Sequence, residues 1–102
     1  MEGMYVVLLT YTAPQVEIDY VLPDHAEWLD RQYERGYLLA SGRKADHSGE
    51  VLLAKPMSVD KLKAALAGDP LVLRDLARHE IVEFSATRTG PELRALNETL
   101  AH

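Results

Sequence analysis

The pattern of hydrophobic and polar positions predicts four strands and two helical segments. Runs rich in β-branched, aromatic and aliphatic residues, typical of strands, occur at 5–11, 37–45, 50–55 and 80–87. Between them, 22–36 and 58–77 carry apolar residues at helical spacing. The order β-α-β-β-α-β predicts a ferredoxin-like α+β fold, in which a four-stranded antiparallel sheet carries its helices on one face. Apolar positions over 91–100 predict an extra C-terminal helix.

The first helix is predicted to have Pro23 in its first turn and to end at Gly36. Proline loses no hydrogen bond at that position, and glycine readily adopts the left-handed conformation that ends a helix. The preceding stretch, 16–21, is left open between a turn of helix and a packed loop. His25 points toward the predicted apolar stripe of Leu22, Ala26, Leu29 and Tyr33. An imidazole on that side either has an interior hydrogen-bond partner or serves a site.

The second helical segment is predicted to be broken in two. Ser58 is a suitable N-cap for the first part, which stops at Gly68. Asp69 then caps a new helix with Pro70 at its first position, since a proline inside one continuous helix would remove a hydrogen bond. The second part is expected to run over 71–77, with Leu73 and Leu76 facing inward.

Three strands are apolar on both faces, at 6–9, 37–40 and 51–54. The two helices cover only one face of a sheet that would otherwise alternate apolar and polar residues. A second copy of the same sheet is the simplest cover for the other face, so we expect a homodimer packed sheet to sheet. Within the second strand, Gly42 indicates a bulge or a close backbone approach.

Composition narrows the class of protein. The 102 residues predict one domain over 1–102, with a core of about 4–88 and a tail at 90–102. The net charge of −5, with 16 acidic against 11 basic residues, argues against nucleic acid or anionic membrane as partners. The chain has no cysteine, no apolar run near the ~20 residues that span a bilayer and no signal pattern, so a cytoplasmic location is expected.

Candidate chemistry concentrates on His25. No metal, phosphate or nucleotide motif is present, so we predict no metal site and no cofactor. Three other histidines, His47, His79 and His102, are expected to be solvated, in a turn, at a strand start and at the C-terminus. Asp69 is the best candidate partner, although capping alone would account for it. If the two meet, the carboxylate fixes the tautomer of the imidazole and raises its pKa toward an acid/base role.

The chain resembles the YciI-like proteins, small dimeric α/β-barrel domains. The resemblance rests on Leu22-Pro23-Asp24-His25 with Trp28-Leu29 behind it, Gly36, Leu39-Ala40-Ser41-Gly42-Arg43, Asp69-Pro70 with Arg74, and Ile81-Val82-Glu83-Phe84. Family members are similar to a dehydrochlorinase that acts on chlorinated hydroxyhydroquinones. The proposed active site of the family is a His–Asp pair, which the resemblance carries over to His25 and Asp69. Ser41 matches a residue lining the same cleft, and Arg43 is assigned to the ligand site with it.

The chain departs from the family at one position beside the site. The family histidine often follows a small residue, whereas Asp24 stands there in this sequence. A carboxylate in that position would compete with Asp69 for the imidazole or add to its effect.

Two functional classes remain open. The first is a small-molecule enzyme of the lyase or isomerase kind, with His25 as general base, Asp69 as its orienting partner, and Trp28, Tyr11 and Tyr37 available to line the cleft. The second is a non-catalytic dimeric module that binds a metabolite or a partner domain. A pocket that opens on His25 favours the enzyme, and a His25 sealed by side chains favours the module.

Overall fold

The computed structural model describes residues 3–99. Its elements are β1 (Met4–Tyr11), α1 (Gln15–Glu34), β2 (Leu38–Arg43), β3 (Gly49–Ala54), α2 (Val59–Ala67), α3 (Pro70–Leu73), β4 (Ala77–Phe84) and a 3-10 helix (Pro91–Leu96). The strands form one sheet in the order β2-β3-β1-β4, and every neighbouring pair is antiparallel. This confirms the predicted ferredoxin-like α+β fold.

The register of the sheet lines up three side chains on its helix-covered face. Leu9 of β1 lies opposite Glu50 of β3 and opposite His79 of β4. Leu9 is fully buried, and Glu50 is buried as well. Because alternate residues of a strand share a face, this row carries two ionisable groups beneath the helices.

The helix α1 begins eight residues earlier than Pro23, so the predicted start of the helix is wrong. Ile18 and Val21 are buried and extend the apolar face back into the stretch that the sequence left open. Pro23 therefore lies inside the helix. The N–H that it lacks would bond the carbonyl of Asp19, and both residues are exposed, so water can satisfy that carbonyl.

The buried face of α1 is rotated from the predicted stripe. Its buried residues are Ile18, Val21, His25, Trp28 and Gln32, whereas Ala26 and Tyr33 are exposed. The end of the helix is as predicted. Gly36 has a φ of 76°, and the N–H of Tyr37 bonds the Gln32 carbonyl across it.

The break in the second helical segment is confirmed. Ser58 Oγ accepts a hydrogen bond from the Lys61 N–H, α2 stops at Ala67, and Asp69 Oδ1 accepts from the Leu71 N–H. The helix after the break is much shorter than predicted, because Asp75 adopts a left-handed φ of 58° and turns the chain into β4.

Two details of this region are wrong in the sequence-based prediction. Leu73 is 70% exposed rather than inward, and Leu71 is the buried residue of α3. In addition, β4 starts at Ala77, three residues before the predicted strand.

The bulge or close backbone approach predicted at Gly42 is not at that residue. The register irregularity lies between Leu38 and Ala40, not at Gly42. A Cβ at Gly42 would meet nothing within 4 Å, whereas a Cβ at Gly49 would lie 1.7 Å from the Leu9 carbonyl oxygen. The close backbone approach is therefore at Gly49, where β3 begins.

The C-terminal tail forms less helix than predicted. In the tail as far as residue 99, the helical structure is the 3-10 turn Pro91–Leu96, which contains no buried residue. The last position of the predicted stripe, Leu100, lies outside the described residues.

The contact at Gly49 predicts a large effect of one methyl group. We expect Gly49→Ala to lower the free energy of unfolding by more than about 2 kcal/mol, because the backbone of β1 or β3 must move. Gly68→Ala is the matched control, since its Cβ would make only ordinary contacts at 3.5 Å and beyond. Urea unfolding followed by circular dichroism measures both, and equal stability of the two variants would contradict the expectation.

Candidate active site

His25 and Asp69 meet in the interior, where α1 passes the start of α3. The Nδ1 of His25 lies 2.7 Å from Asp69 Oδ1, within hydrogen-bond distance. His25 is 2% exposed and Asp69 is 0% exposed. The same carboxylate oxygen accepts a hydrogen bond from the Leu71 N–H at 3.0 Å. The structure thus brings together the two residues that the sequence singled out, and Asp69 is both the helix cap and the histidine partner.

The other nitrogen of the ring faces a carboxylate that sequence reasoning missed. Nε2 of His25 lies 2.6 Å from Glu50 Oε2, as an ion pair whose geometry is not that of a hydrogen bond. Glu50 comes from the buried face of β3, where it shares its parity with Leu52 and Ala54. A carboxylate on the apolar face of a predicted strand was the signal in the sequence that could have found it.

His79 also reaches this site, contrary to the expectation that it is solvated. Its Nε2 lies 3.7 Å from Asp69 Oδ2, and its side chain is 9% exposed. The parity of His79 matches that of Ile81, which packs against the core. We call Glu50, His25, Asp69 and His79 together the carboxylate–histidine cluster.

The carboxylates decide the charge of His25. Burial of the ring favours the neutral form, but the contacts with Asp69 and Glu50 outweigh it and raise the pKa of His25 to about 9. Burial also acts against the charge of Asp69, yet the contacts with His25 and His79 lower the pKa of that carboxyl below its usual value. At neutral pH the site therefore holds an imidazolium between two carboxylates.

Trp28 packs beneath the imidazole rather than lining an open cleft. The two rings stack with centroids 5.7 Å apart and planes at 22°. The indole Nε1–H donates to the Ala65 carbonyl at 3.1 Å, and the side chain belongs to the buried core. Trp28 thus fixes the plane of the His25 ring.

Tyr11 and Arg43 lie around Glu50. Arg43 is directly opposite Glu50 across β2 and β3 and is exposed. The Tyr11 hydroxyl is buried and has no hydrogen-bond partner among residues 3–99. Burial and the Glu50 carboxylate raise the pKa of Tyr11, while the nearby Arg43 guanidinium opposes the rise without a hydrogen bond of good geometry.

Ser41 and Tyr37 have other contacts. The Ser41 hydroxyl is 2.7 Å from the Tyr33 hydroxyl, and Ser41 and Arg43 line a depression of about 280 Å³ at the β2–β3 hairpin. The Tyr37 ring packs on the apolar core with the Lys61 ammonium 5.0 Å from its centroid. The ligand-binding roles of these two residues stay predictions.

Asp24 does not compete for the imidazole. It pairs with Arg74 at 3.7 Å, and both side chains are more than half exposed. The carboxylate that precedes His25 therefore points to solvent, and the departure from the family pattern leaves the His25–Asp69 contact intact.

The geometry defines the class of protein: it is a βαββαβ domain in which a buried histidine lies between two carboxylates. Residues 4–85 match the YCII-related domain family. The chain belongs to that family, whose fold is that of the dimeric α/β-barrel superfamily. A comparison with curated proteins finds no significant match.

The solved structures that are similar in fold include the following two. One is 5-chloro-2-hydroxyhydroquinone dehydrochlorinase (TftG) from Burkholderia phenoliruptrix AC1100, bound to 2,5-dihydroxybenzoquinone. It has a TM-score of 0.67 and 16% identity, covering 87% of this chain and 97% of that one. The other is a variant of SnoaB, a cofactor-independent oxygenase from Streptomyces nogalater. It has a TM-score of 0.53 and 26% identity, covering 88% of this chain and 97% of that one.

Two further findings concern cations and membranes. Within residues 3–99, no group of three or more histidine or acidic side chains is arranged to hold a metal ion. No helix in that part of the chain is long and apolar enough to cross a membrane.

The charge of His25 predicts that stability falls as the solution becomes basic. A pKa raised from 6.5 to about 9 gives stabilisation that is complete below pH 6.5 and is lost as the pH rises through 9. We expect the free energy of unfolding to fall by about 1 to 3 kcal/mol over this range. Urea titrations at several pH values measure it.

Two variants test the source of this pH dependence. His25→Gln should flatten the profile between pH 6.5 and 9.5, whereas His47→Asn, at an exposed position, should retain it. A wild-type stability that stays constant or rises over this range would contradict the charge assigned to His25.

Proposed function

We propose that this protein is a small-molecule enzyme of the lyase or isomerase kind that uses His25 and Asp69 as an acid/base pair. The observation that carries the proposal is the 2.7 Å contact between a buried imidazole and a buried carboxylate. A histidine oriented by a carboxylate is a common arrangement for proton transfer. Its raised pKa is a perturbation of the kind that clusters at functional sites.

The similar folds favour compact, oxygenated aromatic or enol-type substrates. One neighbour is a dehydrochlorinase of a chlorinated hydroxyhydroquinone and the other a cofactor-independent oxygenase. In a dehydrochlorination, a base removes a proton and chloride leaves with the electron pair of its bond to carbon. Such a step needs an acid/base group and no cofactor, which fits the chemistry of His25, Asp69 and Glu50.

A non-catalytic ligand-binding module is the second candidate. The observation that favours it is the 2% exposure of His25, because the chain's own side chains seal the ring. In that case the carboxylates would only satisfy a structural imidazolium. Binding of 2,5-dihydroxybenzoquinone without chloride release from 5-chloro-2-hydroxyhydroquinone would support this candidate.

We also propose that the chain forms a homodimer through the uncovered face of its sheet. Val51, Val82 and Phe84 lie on that face and are 36%, 47% and 39% exposed. Burying such a row of apolar side chains removes them from water. The superfamily to which the fold belongs is named for dimers of this kind. The cytoplasmic location stays a prediction from the sequence.

The catalytic proposal is tested with 5-chloro-2-hydroxyhydroquinone as the probe and chloride release as the readout. We expect the wild type to release chloride and His25→Ala to lower kcat/KM by about 10²- to 10⁴-fold, since it removes the acid/base group. Asp69→Asn should lower it less and should also lose stability, because it weakens the cap and the ion pair.

The matched control is Asp24→Asn, the same change at an exposed carboxylate beside the histidine. It should leave chloride release unchanged. Turnover that survives in folded His25→Ala would overturn the acid/base role, and a wild type without turnover would favour the binding module.

The dimer is tested by one charge on the outer face of β3. We expect the wild type to have twice the mass of one chain in light scattering, and Val51→Asp to weaken association at least about 100-fold by burying an unpaired carboxylate. Val16→Asp, on an exposed part of α1, is the control and should remain dimeric. A folded wild-type monomer at micromolar concentration would contradict the proposal.

A further inference from the structure

Glu50 is the end of the carboxylate–histidine cluster that combines a close contact with access to the surface. Its side chain is 10% exposed, close to the 9% of His79 and above the 3% of His25 and the 0% of Asp69. At the opposite end, His79 lies 3.7 Å from Asp69, which is too long for a hydrogen bond. The contact between Glu50 and His25 is 2.6 Å. Among the described contacts, the one between His25 and Glu50 is therefore the short contact that leads from the buried ring to a partly exposed side chain.

Glu50 also has polar neighbours of the kind found in binding sites. Neither a helix cap nor a structural ion pair would need them. Arg43 faces it across the β2–β3 pair, and the buried hydroxyl of Tyr11 has no partner among the described residues. A carboxylate can accept a proton, while a guanidinium and a phenolic hydroxyl can bind a developing oxyanion. These three groups are complementary to a compact enol or phenol.

The charge of His25 makes it unsuited to act directly as the base near neutral pH. With a pKa of about 9, the ring is already protonated. An imidazolium cannot take up a proton, whereas the carboxylate beside it can. The Glu50 carboxylate also lies 2.6 Å from Nε2, the ring nitrogen that does not face Asp69.

We propose that Glu50 is the group of this site that exchanges a proton with an enol- or phenol-type ligand, and that His25 is a positioning residue that acts through Glu50. This inference rests on the proposed lyase or isomerase reaction at this site, and it moves the proton transfer with the substrate from His25 to Glu50. Glu50 takes a proton from a C–H or O–H bond of the substrate, and the electron pair of that bond stays on the substrate. The resulting enolate or phenolate oxygen faces Arg43 and Tyr11.

The proton then leaves Glu50 by one of two routes. In an isomerisation Glu50 returns it to another atom of the same molecule. In an elimination chloride departs with its bonding pair, and Glu50 gives the proton to water. His25 stays a cation throughout, held by Asp69, and keeps the Glu50 carboxylate in place.

The ionisable groups around Glu50 and His25 come from every element packed against these two residues. They are Tyr11 on β1, Asp19 on α1 near Tyr11, Arg43 on β2, Asp69 before α3 and His79 on β4. Asp69 and Glu50 make the short contacts with the ring. Variants at these two positions are therefore the informative ones.

A first experiment needs no substrate and uses Trp28, the single tryptophan of the chain, as a reporter. Its indole stacks on His25, so its fluorescence should change when the ring gains or loses charge. In the wild type we expect a transition near pH 9. Glu50→Gln and Glu50→Ala should lower its midpoint by about one pH unit or more, because one of the two carboxylates is gone.

Added acetate then tests which of the two carboxylates, Glu50 or Asp69, occupies a space that a small molecule can reach from solvent. In Glu50→Ala, added acetate should enter the vacated space and restore at least half of the lost shift. Asp69→Ser keeps a capping hydroxyl but leaves its space enclosed, so acetate should have no effect there. Sodium chloride at the same ionic strength controls for screening. Equal rescue of both variants, or rescue of neither, would overturn the access assigned to Glu50.

The second experiment follows chloride release from 5-chloro-2-hydroxyhydroquinone across pH. If Glu50 is the base, the rate should fall above pH 9 as His25 loses the charge that positions Glu50, and Glu50→Gln should lower kcat at least 100-fold with KM changed less than 3-fold. Glu92→Gln, at an exposed carboxylate, is the control. A rate that rises through pH 9 would assign the base to His25 and overturn the proposal.

The two experiments fail separately. A wild type without turnover contradicts the proposed function, and the acetate comparison still decides whether Glu50 is the carboxylate that a ligand can reach. Normal turnover in Glu50→Gln overturns the inference and leaves the acid/base pair of His25 and Asp69 standing.

Discussion

The contact between Asp69 and His25 is the interaction on which the rest of the structure depends. One carboxylate oxygen caps α3 through the Leu71 N–H and also holds the imidazole on α1. A helix of four residues has almost no stability of its own, so α3 depends on that cap and on the packing around it. The same oxygen therefore ties α1 to the start of α3 and orients the ring.

The cost of burying a charge explains why the His25 ring has a carboxylate on each side. An isolated imidazolium at this depth would be costly, and an isolated carboxylate equally so. Asp69 and Glu50 each compensate the ring from one side, and the ring in turn keeps Asp69 ionised. The stacked indole of Trp28 and the sheet beneath leave the ring little freedom to turn away from either partner.

Local sequence signals predicted the fold and half of the candidate site. The left-handed glycine at 36 and the capping residues Ser58 and Asp69 act through neighbouring backbone atoms, so their spacing is visible in the sequence. Glu50 and His79 were missed because their position depends on the register that β3 and β4 take against Leu9. Register is a long-range property, although strand parity put both residues on the buried face.

The errors on α1 have a different cause. Pro23 and the apolar residue before it were treated as a helix start, because proline is favoured in a first turn. Here the packing of Ile18 and Val21 outweighs the one hydrogen bond that Pro23 removes. The buried residues Ile18 and Val21 continue along the helix to His25 and Trp28, and on this face Gln32, not Tyr33, is the buried residue of the last turns.

The double role of Asp69 affects how relatives of this protein should be interpreted. A family member that has lost all activity would still gain stability from a capping side chain there, so the cap of α3 alone can account for an aspartate at this position. The presence of that residue in a relative is thus information about folding. Glu50 makes no backbone hydrogen bond through its carboxylate among the described contacts, and a buried charge without such a duty persists only where a partner or a reaction requires it. Across homologues, the residue at position 50 would separate chains that retain the chemistry from chains that retain only the scaffold.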